Sequence, residues 1–179
     1  MAAAISCAQL LLSNDAIVLG ISRISDVNIR QRLLNISGLY MFDDSYNASY
    51  ESIIADFDLL YNTYPNFYKS VLLGSVMELG EHSERIHFKL GVEAAKRKFE
   101  RLYFIGQFAH IMARGAIHGG YNSRYIFVNP NESDKRTTAK QILLEHKENE
   151  IILLKASNRV QLWDIIPILK ELLSEVQSE

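Results

Sequence analysis

Leu39-Tyr40-Met41-Phe42-Asp43-Asp44-Ser45-Tyr46-Asn47-Ala48 is the stretch from which the fold of this chain can be read. Its first four residues are apolar or aromatic, and a short run of that kind suits a buried strand. Two carboxylates, a hydroxyl, a phenol and a carboxamide follow without a gap. An amphipathic helix then begins near Ser49. A strand, a polar turn and a helix in that order place side chains at the carboxyl edge of a parallel sheet, where open α/β sheets bind their ligands.

Upstream, residues 29–36 form a second apolar run, separated from Leu39 by Ser37-Gly38. Gly38 can take a positive φ, so the two runs predict a β-hairpin. Downstream, Ile53, Ile54, Phe57, Leu60 and Tyr61 recur at intervals of three and four, the period of a helix that must stop before Pro65. Strands are expected at 68–73, 102–105, 125–128 and 151–154. Helices are expected at 83–99 with Ser83 as cap, 108–117 ended by Gly119-Gly120, 133–147, and about 159–175, the last kinked or started late by Pro167. This alternation predicts a Rossmann-like three-layer α/β domain. Its mostly parallel sheet has about six strands and begins with an antiparallel hairpin, and helices cover both faces. Residues 2–12 read as a short helix rich in Ala and Leu. No linker-like composition divides the rest of the chain.

The chain has 179 residues, 48% of them hydrophobic and 22% charged, with a net charge of −2. That length supports one domain with a real core. The charge balance gives no basic footprint, so no nucleic-acid partner is expected. A single cysteine, Cys7, excludes an internal disulfide framework and a Cys-based zinc site, and it fits a cytoplasmic protein. No stretch reaches the roughly 20 apolar residues of a membrane span. No metal site is expected: His82 and His87 are five apart, off a common helix face, and His110 and His118 are eight apart.

If the sheet is parallel, the strand ends bring together residues 43–47, 74–80, Gly106-Gln107, Asn129 and 155–158. Asp43 or Asp44 would hold a cation or orient a cationic group there, and Asn47 would bond a ribose or phosphate. Alternatively, Asp44 and Ser45 only cap the following helix. Lys155, after four apolar residues, either reaches an anion or snorkels to solvent. Glu78 reads as a solvated loop carboxylate. Two further patterns are absent: G-x-x-x-x-G-K-[ST], and G-x-G-x-x-G after a strand. The chain therefore has no phosphate loop of its own.

Asp43–Ala48 resembles, residue for residue, the Asp-Asp-Ser-Tyr-Asn-Ala that opens the C-terminal domain of the Mur ligases of peptidoglycan synthesis. Gly74-Ser75-Val76-Met77-Glu78-Leu79-Gly80 is similar to the family's Gly-Asp-Met-x-Glu-Leu-Gly. Ser83 and His87 follow at the family's spacing, and Gly91 lies on the same helix. Leu154-Lys155-Ala156-Ser157-Asn158 resembles Val-Lys-Gly-Ser-Arg, and Gln31-Arg32 stands where the family has Gly-Arg. The chain departs from the pattern at Gln31, Ser75, Ala156 and Asn158. Replacing an Arg with Asn removes a bidentate anion contact, which bears on acceptor specificity.

The resemblance implies residues 26–179 as a Mur ligase C-terminal domain and 1–25 as a helical remnant of a central ATPase domain. The type it resembles joins D-alanyl-D-alanine to UDP-N-acetylmuramoyl-tripeptide through an acyl phosphate, with ATP and Mg²⁺ as cofactors. It implies that Arg32, Asp44, Tyr46 and Asn47 face nucleotide. Lys155 and Ser157 would face the phosphate or dipeptide side, with Glu78 and His87 in a supporting loop. The expected partners are the ATPase and UDP-sugar domains, in cis or in trans, and the chain alone is expected to be inactive and to bind no cofactor tightly. The alternative is a non-catalytic interaction or nucleotide-binding module that kept the fold and lost the reaction.

Overall fold

The structure, a computed structural model, describes residues 31–176. The helix expected in residues 2–12, and the whole 1–25 segment, lie outside them. The described residues form strands β1 (Arg32–Ile36), β2 (Leu39–Asp43), β3 (Tyr68–Leu73), β4 (Leu102–Ile105), β5 (Ile126–Asn129) and β6 (Glu150–Lys155). Helices α1 (Tyr50–Thr63), α2 (Ser83–Lys96), α3 (Ala109–His118), α4 (Lys135–Glu145) and α5 (Ile165–Val176) connect or follow them.

The six-stranded sheet has the order β1-β2-β6-β3-β4-β5. Only β1 and β2 run antiparallel; β2–β6, β6–β3, β3–β4 and β4–β5 are parallel. The hairpin turn has Ser37 at φ +51° and Gly38 at φ +92°. Two successive left-handed residues match the right-handed twist of the flanking strands. The Asn35 side chain accepts the Gly38 N–H at 2.9 Å, which fixes the turn further.

Side chains alternate across the sheet with period two. Phe42, Val71, Leu73, Leu102, Phe104, Ile151 and Leu153 pack against α1, α2 and α3 on one face. Met41, Leu72, Tyr103, Ile105, Ile152 and Leu154 pack against α4 and α5 on the other. Both faces of the central strands are therefore buried, which explains their near-continuous apolar runs.

The helix ends differ from expectation in instructive ways. Helix α1 is capped by Ser49, not by Asp44 or Ser45. The Ser52 N–H donates to Ser49 Oγ at 3.2 Å, and the Ser49 N–H donates to Ser52 Oγ at 2.9 Å. This reciprocal box frees Asp44 from capping. Ser83 is the first residue of α2 rather than its cap: a 3₁₀ turn, Gly80–His82, precedes it, and Ser83 Oγ donates to the Gly80 carbonyl at 2.8 Å. Asp134, not Ser133, caps α4 by accepting the Thr137 N–H at 3.1 Å. The last helix starts late, at Ile165, after two 3₁₀ turns. Pro167 then falls in its first turn, where the missing N–H costs nothing.

Helices α2 and α3 meet backbone to backbone. A Cβ added at Gly91 would lie 2.0 Å from the Met112 carbonyl oxygen, and one at Gly115 would lie 2.0 Å from that of Phe88. No side chain can yield there, because the obstruction is main chain. Gly115→Ala is therefore expected to lower the unfolding free energy by about 2–3 kcal/mol, the scale of core overpacking. Urea denaturation checks this: the midpoint should fall at unchanged slope.

Candidate functional site

The alternation that builds the core also decides what stands at the carboxyl edge. Phe42 faces α1, so Asp43 faces α5 and Asp44 faces α1 again. The two adjacent aspartates open into different clefts. One, of about 530 Å³, lies over α1 and is lined by Asp44, Asn47, Ser49, Ser52, Asp56 and Lys155. The other, of about 470 Å³, lies over α5 and is lined by Arg32, Asp43, Tyr46, Asn158, Trp163 and Pro167.

The floor of the α1 cleft is an ion cluster. Lys155 ends β6 on the same face as Leu153, 2% exposed. Burial at that depth is at odds with the snorkelling alternative. Its Nζ donates to Asp44 Oδ2 and lies 2.8 Å from Asp56 Oδ2. The Asp56 contact is an ion pair whose approach is not aligned as a hydrogen bond. Asp56 itself comes from α1 and is 3% exposed. Burial is the largest influence on its carboxyl and pushes it up to about 6, against the downward pull of Lys155. One ammonium thus serves two carboxylates, so Lys155 is not free to meet an anion in this arrangement.

On the α5 side, Arg32 donates to Asp43 at 2.5 Å across the hairpin, at the paired position Arg32↔Asp43. The Ser45 N–H donates to Asp43 Oδ1 at 3.1 Å, and Ser45 Oγ donates to the same oxygen. Asp43 is thereby committed to holding the turn. Above it lie the exposed Tyr46 ring and the Trp163 and Pro167 side chains, an apolar surface beside a guanidinium.

The remaining expected residues, Ser157, His87 and Glu78, are not among the residues that line either cleft. Ser157 Oγ accepts the Met77 N–H at 2.8 Å, and the Ser157 N–H donates to the Ser75 carbonyl at 3.1 Å. These bonds tie the β6 loop to the β3 loop. His87 is fully buried. Its Nε2 accepts the Val76 N–H at 2.9 Å, its Nδ1 lies 2.6 Å from the Ser83 carbonyl, and its ring stacks on Phe108 at 4.2 Å. Burial lowers its pKa, so the neutral ring with the proton on Nδ1 satisfies both bonds. Glu78 is exposed at φ +64°.

The structure therefore separates the four residues expected on the nucleotide side: Asp44 and Asn47 line one cleft, Arg32 and Tyr46 the other. It places Lys155 with Asp44 and Asn47, and it makes Ser157 a loop tie. Sequence reasoning missed Asp56. Its signal was present: an acid three residues after Ile53 and four before Leu60, on the apolar stripe of α1. A carboxylate on such a stripe needs a buried partner.

Asp56 gives a pH dependence with a definite sign. Between the ordinary value of 3.8 and about 6, folded Asp56 holds a proton that the unfolded chain releases. Its contribution to stability therefore falls as pH rises through that window. Asp56→Asn, which does not titrate, should gain melting temperature relative to the wild type as pH is raised from about 4 to about 7. Calorimetry of both proteins over that range checks it.

The chain matches no family model. It is 29% identical over 157 residues to the UDP-N-acetylmuramoyl-tripeptide–D-alanyl-D-alanine ligase of Bacillus subtilis, covering 85% of this chain and 33% of the ligase. To the same ligase of Escherichia coli it is 25% identical over 158 residues, covering 88% and 33%. The chain thus spans about a third of the length of the curated relatives it matches. Among solved structures, it superposes on MurF from Acinetobacter baumannii with a TM-score of 0.74 at 23% identity, over 90% of this chain and 35% of that one. MurF from Thermotoga maritima, solved in complex with ADP, gives a TM-score of 0.70 at 22% identity, over 90% and 36%. In sequence over most of its length, and in fold, the chain matches the C-terminal domain of the MurF-type Mur ligases.

Proposed function

We propose that the chain is the C-terminal part of an ATP-dependent amide ligase of peptidoglycan precursor synthesis. The reaction would join D-alanyl-D-alanine to UDP-N-acetylmuramoyl-tripeptide by way of an acyl phosphate. The observation that carries this reading is the 157-residue match to a ligase of that name. That match accompanies two open clefts at the edge where α/β sheets hold ligands.

An acyl phosphate is lost to water unless water is excluded. A domain that closes over it supplies that exclusion and a few positioned groups. In this reading the clefts receive the nucleotide and the incoming dipeptide when the domain docks on an ATPase domain, while a UDP-sugar domain holds the tripeptide. Asn47 is the exposed donor of the α1 cleft, and Arg32 is the cation beside the apolar surface of the α5 cleft. ATP and Mg²⁺ are held chiefly by the ATPase domain, because this sequence contains no phosphate loop. The reading carries a cytoplasmic location with it; among the described residues no helix is long and apolar enough to cross a membrane.

A second reading is a non-catalytic module. It is favoured by Lys155, whose ammonium already has two carboxylate partners. An ATP-dependent ligation assay separates the two, run with and without the ATPase and UDP-sugar domains added in trans. Peptide-bond formation only in the complemented mixture supports the ligase, and none in either supports the module. The chain alone should not hydrolyse ATP; turnover by the pure chain that Lys155→Ala abolishes would defeat this.

In the complemented enzyme, Asn47→Ala should weaken ATP use about tenfold or more, near 1.4 kcal/mol, with the fold unchanged, and Arg32→Ala should weaken it while also lowering the melting temperature, because the buried Asp43 loses its ion pair. The measurement is kcat/KM for ATP beside melting temperature. Unchanged kinetics in both variants would show these positions to be structural.

A further inference from the structure

We propose that Asp56 is a positioning residue, a standby counter-ion that keeps the buried Lys155 paired while Asp44 turns to a ligand. The inference rests on the reading of the α1 cleft as a ligand site.

Lys155 has two carboxylate partners of different character. Asp44 stands in the turn after β2, and its side chain is 10% exposed at the cleft. Asp56 stands inside α1, a fourteen-residue helix, and its side chain is 4% exposed. The first sits at the start of a turn beside the cleft, the second within a helix. An ammonium has three donors, so it can serve both at once.

A buried ion stripped of its only partner is strongly destabilised. If Asp44 were the sole counter-ion, any ligand donor that captured its carboxylate would leave Lys155 orphaned. The ligand would then compete with the fold. A second carboxylate removes that competition, because Asp56 can take the ammonium alone. Resting stability does not account for Asp56: one carboxylate neutralises one ammonium, and burial pushes the carboxyl of Asp56 well above its usual range.

The test is a double-variant cycle on the full chain with Asp44→Asn, Asp56→Asn and both together. Melting temperature is followed beside the ¹⁵N signal of the Lys155 ammonium. Each single variant should shift melting by only about 3 °C, and the double should lose about 10 °C or more, because only it removes the last counter-ion. A double variant that fails to fold while both singles melt normally is the same result. The Lys155 ammonium should stay slowly exchanging in each single variant. The inference is overturned if Asp44→Asn alone loses as much as the double, or if the two losses simply add.

ADP is the ligand probe, added to the chain complemented with the ATPase domain in trans. In the wild type it should move the Asp44 carboxyl resonance while the Lys155 ammonium persists, and in Asp56→Asn its affinity should fall several-fold. Equal affinity in Asp56→Asn overturns the inference. An absence of any ADP-induced shift in the wild type defeats the ligand reading of the cleft instead, and the melting cycle still decides the counter-ion.

Discussion

The hydrogen bonds of β6, to β2 on one side and to β3 on the other, hold the two halves of this sheet together. β6 is the last strand in the sequence and lies near the centre of the sheet. The hairpin can form locally, and so can the β3–β4–β5 half, but they have no direct pairing with each other until β6 enters. Such late, long-range closure slows folding relative to local pairing. It also means that the polar groups at both ends of β6 are buried only when the fold is complete.

Those two ends are built differently. At the amino end, Glu150 is fully buried and saturated. Both of its carboxylate oxygens accept from Arg101 Nη1, at 3.2 and 3.1 Å, and it also accepts from the Lys147 N–H at 2.7 Å and from Ser70 Oγ. That network joins β3, β6 and the residue that leads into β4, and it leaves little capacity for a ligand. At the carboxyl end, Lys155 shares two carboxylates under an open cleft, and Ser75 Oγ is buried without a hydrogen-bond partner among the described residues. The satisfied end secures the sheet. The other end keeps polar capacity in reserve, as ligand edges of α/β sheets do.

The fold was legible in the sequence because its signals are local. Leu102–Ile105 is a continuous apolar run and Tyr68–Leu73 ends in one, Val71-Leu72-Leu73, each closed by a glycine, and both strands have the predicted limits. The hairpin followed from Gly38. Helix starts were less legible: Ser49, Ser83, Ser133 and Asp134 all carry capping chemistry, and which one caps depends on the path by which the chain enters each helix. The site was legible only in part. The strand-edge rule named Asp44, Asn47 and Lys155, which do share a cleft. It could not show that Arg32 and Tyr46 belong to the opposite cleft, because that depends on the parity of the pleat. Nor could it pair Asp56 with Lys155, since that contact forms only when α1 and β6 pack on each other.

The parity of β2 also bears on how a gene for such a domain can vary. Asp43 and Asp44 serve opposite faces because each residue along a strand reverses direction. Losing or gaining one codon between Leu39 and Asp43 would turn Phe42 and Met41 onto each other's faces and would send each aspartate to the other's cleft. Substitutions along β2 act one position at a time, whereas an insertion or deletion acts on the whole register at once. Length variation should therefore accumulate in the loops between helix and strand, and the spacing from Gly38 to Asn47 should stay fixed even where the residues within it drift.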